Sequence, residues 1–176
     1  MLNRNLIPLC VFCLIVSLLW FGLSLKPKDI PSSLIGKPVP HFVLSSLASE
    51  PTIVSEKIFS DHMTILHVWA TWCSVCQNDH ELLFKLKNLD LFQLVGINYK
   101  DNQNKAELWL HERGNPYAFS IMDDRGQLSL DLGVYGTPTT YIIDRAGIIR
   151  FRHVGALTEE KWNKEIYPQI ASMLLN

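Results

Sequence analysis

Cys73 and Cys76 form a Cys-x-x-C pair, a spacing that can do chemistry. The chain's other two cysteines, Cys10 and Cys13, lie in an uncharged apolar stretch near the start, where cysteine behaves as a small hydrophobe. A structural zinc site usually draws on two such pairs, and Cys73 with Cys76 supplies only half of one. A stabilising staple closes a long loop, and a bridge across two residues closes almost nothing. A redox pair remains, in which a thiolate attacks a disulfide and two electrons move between dithiol and disulfide. Such exchange calls for no organic cofactor and no metal.

The thiolate must be stabilised, so the elements around the pair matter. Thr64-Ile65-Leu66-His67-Val68-Trp69 is apolar and β-branched and reads as a buried strand. Beyond the pair, Leu82, Leu83, Leu86 and Leu89 recur at helical spacing, which puts the pair at a helix start. Cys73 would meet the free N–H groups and positive dipole end there, and its pKa should fall below the free value of about 8.5. Cys73 is expected to be exposed and attack first; Cys76, one turn further in, would resolve the mixed disulfide. Strands over Leu94–Tyr99 and Phe119–Met122, a helix over Asn102–His111 and a helical turn over Leu128–Leu132 ending at Gly133 follow. Thr140–Ile143 and Ile148–Arg152 form a hairpin joined through Asp144–Gly147, and Thr158 caps a final helix over Glu159–Leu175. The order predicts an α/β fold with a mixed central sheet flanked by helices.

His67, six residues before Cys73, has two readings: a neutral, hydrogen-bonded core histidine, or a proton acceptor for Cys76. Asp79, Glu81 and Asp101 would make the surroundings acidic, or each lies on a solvated face. His80 is expected to face solvent and His153 to end a strand. Trp72 offers apolar surface beside the sulfurs, or packs.

From Leu6 to Leu25 the chain carries 20 residues without a charge. As a helix that run would span about 30 Å, the thickness of a bilayer core. It lacks a small-residue cleavage pattern, so residues 1–26 read as an uncleaved signal anchor, 27–34 as a linker and 35–176 as the catalytic domain. Arg4 at one end and Lys26 and Lys28 at the other give no clean orientation; a short tail before a large domain favours export of the domain. The whole chain has 16 Lys+Arg against 17 Asp+Glu, which lacks the basic footprint of nucleic-acid binding.

Trp72-Cys73-Ser74-Val75-Cys76 between strand and helix, with Gly136-Thr137-Pro138 further on, resembles the thioredoxin superfamily. Gly96–Asp101, Gly114–Tyr117, Leu132–Pro138 and Gly147–Gly155, in that order, resemble the DsbE/CcmG group more narrowly. That resemblance implies a thioredoxin-like fold behind one N-terminal transmembrane helix, anchored in a bacterial inner membrane with its domain in the periplasm. It implies a thiol:disulfide oxidoreductase acting as a protein-disulfide reductant in cytochrome c maturation. The implied partners are apocytochrome c, haem-ligation proteins and a DsbD-like membrane reductant. It also implies a cis peptide before Pro138, presenting the Thr137 backbone for strand-like pairing with an extended substrate. Three positions depart from the group. Ser74-Val75 replaces a proline-containing dipeptide, Thr139 stands where an acid often follows the proline, and His67 stands where thioredoxins have Asp and this group often Asn.

Two other classes share part of this pattern. A thioredoxin-fold copper chaperone could use the two cysteines with His67 or His153, although such cysteines are typically three residues apart. A thiol peroxidase needs a single activated cysteine, which the Trp-Cys-x-x-Cys setting does not suggest.

Overall fold

The apolar, β-branched stretches assemble into one mixed sheet that carries the cysteine pair at the end of its central strand. In the computed structural model, residues 7–24 and 34–174 are described, and the chain divides into two units, Met1–Pro31 and Ser32–Asn176.

The first unit contains α1 (Ile7–Ser24), apolar around its circumference. Its 18 residues rise about 27 Å, short of the roughly 30 Å core. Among the described residues no helix is long and apolar enough to cross a membrane, which departs from the expected transmembrane helix. The run read from sequence continues into Leu6 and Leu25, which lie outside the described residues, as do Arg4, Lys26, Lys28 and linker positions 27–33.

The second unit starts with a small hairpin, β1 (Val43–Ser45) and β2 (Ile53–Ser55), and a 3-10 turn over Glu56–Phe59. The main elements follow: β3 (Thr64–Trp69), α2 (Ser74–Lys87), β4 (Gln93–Tyr99), α3 (Gln103–Arg113), β5 (Phe119–Asp123), α4 (Gln127–Asp131), β6 (Thr139–Ile143) and β7 (Ile149–Val154). The chain closes with α5 (Glu159–Lys161), a π-helical turn over Trp162–Ile166 and α6 (Tyr167–Leu174). Thr158 caps this run by accepting the Lys161 N–H, as read from the sequence; Leu175 lies outside the described residues.

The five strands lie in the order β5-β4-β3-β6-β7. The first three are parallel, β6 runs antiparallel to β3, and β7, antiparallel to β6, points the same way as the first three. Alternation along β3 splits the core. Ile65 and Trp69 join Cys73, Cys76, the leucines of α2 and Ile166 on one face; Leu66 and Val68 join Phe59, Leu132 and Tyr141 on the other. His67 shares the parity of Ile65 and Trp69, and so the face that carries the cysteines. Helix α2 buries Leu82, Leu83 and Leu86. Leu89 is exposed instead of continuing the stripe, because the helix has already ended at Asn88.

Candidate redox site

Cys73 is the N-cap of α2, in extended backbone conformation, and its Sγ accepts the Cys76 N–H at 3.2 Å. A sulfur in that position receives an N–H that the helix cannot satisfy internally, the setting that favours a thiolate. Cys73 and Cys76 are joined by a disulfide with Cα atoms 5.4 Å apart. Both are buried, Cys73 at 6% and Cys76 at 3%, which corrects the expected exposure of Cys73. The exposed apolar groups at this turn are their neighbours Trp72, at 57%, and Val75, at 40%.

The approach to the pair is held from the end of β4. Asp101 accepts hydrogen bonds from Thr71 N–H at 2.6 Å, Thr71 Oγ1 at 2.8 Å, Asn98 Nδ2 at 3.1 Å and Asn102 N–H at 2.8 Å. Beside it the Trp72 indole N–H donates to the Lys100 carbonyl at 3.1 Å, and its ring lies 6.3 Å from that of Tyr99. Asp101 is therefore a clamp on the loop rather than a solvated charge.

The Thr137–Pro138 peptide bond is cis. Pro138 is buried and Thr137 half-buried. Val68 pairs with Thr139, so Pro138 lies beside the end of β3 from which the cysteine loop departs. The Thr139 hydroxyl, at the position where an acid often stands, donates to the Gly136 carbonyl at 2.7 Å.

His67 is fully buried. Its Nδ1 lies 2.9 Å from the Tyr117 hydroxyl, and its Nε2 lies 3.5 Å from Asp79 Oδ2. Asp79 is buried too, which corrects the solvated-face reading: three residues beyond Cys76, it shares the inward side of α2, and its Oδ1 accepts the Leu157 N–H at 3.0 Å. Burial, followed by the charge of Asp79, pushes the Tyr117 phenol well above its ordinary pKa. Glu81 remains exposed and pairs with Lys85 at 3.3 Å.

His80 does not face solvent. It is half-buried, edge-on to Phe84 and Trp109, and its Nε2–H donates to the Arg113 and Gly114 carbonyls at the end of α3. Burial, assisted by Arg113, lowers its pKa despite those carbonyls. His153 is buried in β7, with Nε2 3.1 Å from the Ala156 carbonyl oxygen. Among the described residues no three His, Cys, Asp or Glu side chains stand where they could hold a metal ion.

The redoxin family model matches residues 34–169. Thiol:disulfide interchange protein DsbE of Tatumella citrea is 46% identical over 168 residues, covering 92% of this chain and 90% of the relative. The Escherichia coli K12 protein of the same name is 44% identical over 169 residues, covering 93% and 91%. The chain belongs to the DsbE family. Among solved structures, a DsbE-type protein from Chlorobium tepidum superposes with a TM-score of 0.69 at 25% identity, covering 80% of this chain and 97% of that one. A secreted thiol-disulfide isomerase from Corynebacterium glutamicum shares the fold, with a TM-score of 0.64 at 20% identity, covering 84% and 96%. This DsbE-family chain is thus a thioredoxin-fold oxidoreductase of thiol:disulfide interchange. The Cys73–Cys76 pair and the cis bond before Pro138 stand where the sequence pattern put them, whereas the clamping by Asp101 and the Tyr117 contact with His67 carried no such pattern. The polar residues Asn98, Lys100 and Asp101 at the end of a buried strand were the available signal for the clamp.

Proposed function

We propose that this chain is a periplasmic, membrane-anchored protein-disulfide reductant of cytochrome c maturation. One observation carries the reading: Cys73 caps α2 with its sulfur on the Cys76 N–H, so one cysteine of the pair is placed to act as thiolate. In the dithiol form Cys73 attacks a substrate disulfide and Cys76 resolves the mixed disulfide, leaving the enzyme oxidised and the substrate reduced. Trp72 and the Thr137-Pro138 turn receive the extended polypeptide around that sulfur, and His67 serves proton movement at Cys76. Residues 1–26 form the inner-membrane anchor, 27–34 the linker and 35–176 the catalytic domain. The uncharged run Leu6–Leu25 and the exposed apolar side chains of α1 support the anchor. The partners are apocytochrome c, haem-ligation proteins and a DsbD-like membrane reductant.

Trapping tests this. Full-length Cys76→Ser protein, expressed in cells making c-type cytochromes, should carry apocytochrome c disulfide-linked to Cys73. Capture of unrelated periplasmic proteins in its place would refute the cytochrome assignment while leaving disulfide exchange intact.

A further inference from the structure

Just past β4, Lys100 adopts a left-handed backbone conformation, with a φ of 46°. Residues with a Cβ enter that region at a cost, and such positions cluster where a protein binds or reacts. Two backbone hydrogen bonds hold Lys100 there. Its N–H donates to the Asp123 carbonyl at 2.9 Å, and its carbonyl accepts the Trp72 indole N–H at 3.1 Å. The second bond ties it to the residue directly before Cys73.

The side chain is held as well. A Cβ on Gly126 would come within 2.5 Å of Lys100 Cε and 2.7 Å of Tyr99 Cε2, so only glycine leaves room for the lysine stem to lie there. The ammonium stands 5.3 Å from the centre of the Tyr99 ring, a cation–π contact, and that ring lies 6.3 Å from the ring of Trp72. Indole, phenol and ammonium thus form a row that starts beside the cysteine turn. Trp72 and Lys100, at its two ends, are exposed, and Tyr99 between them is half-buried.

The ammonium has no anion of its own. Among the described residues Lys85, Lys161 and Lys164 each pair with a glutamate, whereas Lys100 has no carboxylate within ion-pair reach. Asp101, the next residue, turns its two oxygens onto donors of Thr71, Asn98 and Asn102. Asp124 and Arg125, which precede Gly126 in the turn beneath the lysine, carry opposite formal charges. A cation whose stem is already ordered loses less side-chain entropy when it meets an anion.

We propose that Lys100 is a specificity-determining residue, selecting polypeptide partners that carry an acidic side chain beside the reacting cysteine. The inference rests on the Cys73–Cys76 exchange proposed above. Trp72 covers the apolar part of the partner segment, and Lys100 takes the carboxylate at the far end of the row. Lysine offers a point charge rather than a rigid fork, which suits an Asp or Glu arriving on an extended chain from more than one angle. An exposed pair of this kind contributes modestly to affinity and more to the choice and encounter of partners.

The test measures exchange between detergent-solubilised full-length protein and three short peptide disulfides, whose reacting cysteine is flanked on both sides by Glu, Gln or Lys. Each rate is divided by that of dithiothreitol on the same peptide, which removes the effect of the flanking charge on the peptide sulfur itself. At pH 7 and low ionic strength the native protein should favour the Glu peptide over the Gln peptide about threefold and disfavour the Lys peptide by a similar factor. About 0.5 M salt should erase most of that preference. Lys100→Arg should keep it, Lys100→Met should level it, and Lys100→Glu should invert it in favour of the Lys peptide. Because each protein is read as a ratio between peptides, a general loss of rate in a variant does not imitate the result, and inversion of sign has no origin in misfolding. A native protein indifferent to the flanking charge, or a preference that survives Lys100→Met and Lys100→Glu, overturns the proposal. Failure of every protein to exchange with any of the peptides would instead defeat the exchange reading beneath it.

Discussion

Cys73 and Cys76 are distinguished by their places in one helical turn more than by exposure. Cys73 Sγ sits where the backbone N–H of Cys76 reaches it, whereas Cys76 is inside the helix. Cys76→Ser should therefore accumulate mixed disulfides and Cys73→Ser should not, on non-reducing gels after acid quench; the opposite pattern would reverse the assignment. The pair could be read from sequence because its chemistry is local, two residues apart between a strand and a helix. Asp79 could not. Its neighbours Gln77, Asn78, His80 and Glu81 are polar, and only the sheet packed against α2 determines that its side chain is covered. Tyr117 was equally hidden, since its contact with His67 crosses 50 positions of chain.

At the scale of elements, the clamp at Asp101 ties the end of β4 to the loop that presents Trp72 and Cys73. Asp101→Ala removes four accepted hydrogen bonds and should cost about 2 kcal/mol in chemical denaturation. Amide exchange at Thr71 should accelerate while the strands stay protected. The β6–β7 hairpin has its own carboxylate anchor. Burial would raise the pKa of Asp144, but the Ile148 N–H, Arg150 and the Ala146 N–H outweigh it and hold the carboxyl below its ordinary value. A depressed folded-state pKa contributes stability above the unfolded value of about 3.9, lost as pH falls through the lower folded value. Asp144→Asn should lower the urea midpoint at pH 7 and flatten the decline of stability below about pH 4. A titration in which both proteins lose stability in parallel would assign the acid sensitivity elsewhere. The long apolar strands and the capped final helix were legible because their patterns repeat over several residues. The β1–β2 hairpin was not, because three-residue strands leave no period to read.

For the whole molecule, the expected direction of electron flow follows from Ser74-Val75, which lacks the histidine of strongly oxidising relatives and so stabilises the thiolate less. Less stabilisation of the reduced form makes a more reducing couple. Alkylation in intact cells with a working membrane reductant should find Cys73 and Cys76 mostly as dithiols. A mostly oxidised pair, with rapid oxidation of reduced substrates, would contradict a reductant. The segment before β3 bears on a different property. Gly36, Lys37 and Val39 hydrogen-bond to Ile149 and Gly147 along one side of the sheet, while Ser46 bridges to Ile121 and Leu47 N–H reaches the Ser120 carbonyl along the other. One stretch of chain thus masks parts of both outer strands, where unpaired backbone would otherwise recruit any extended peptide. For the extended polypeptide partners proposed above, this separates two kinds of stickiness: engagement at the sulfur, which ends in release, and templating onto the sheet, which the masking blocks.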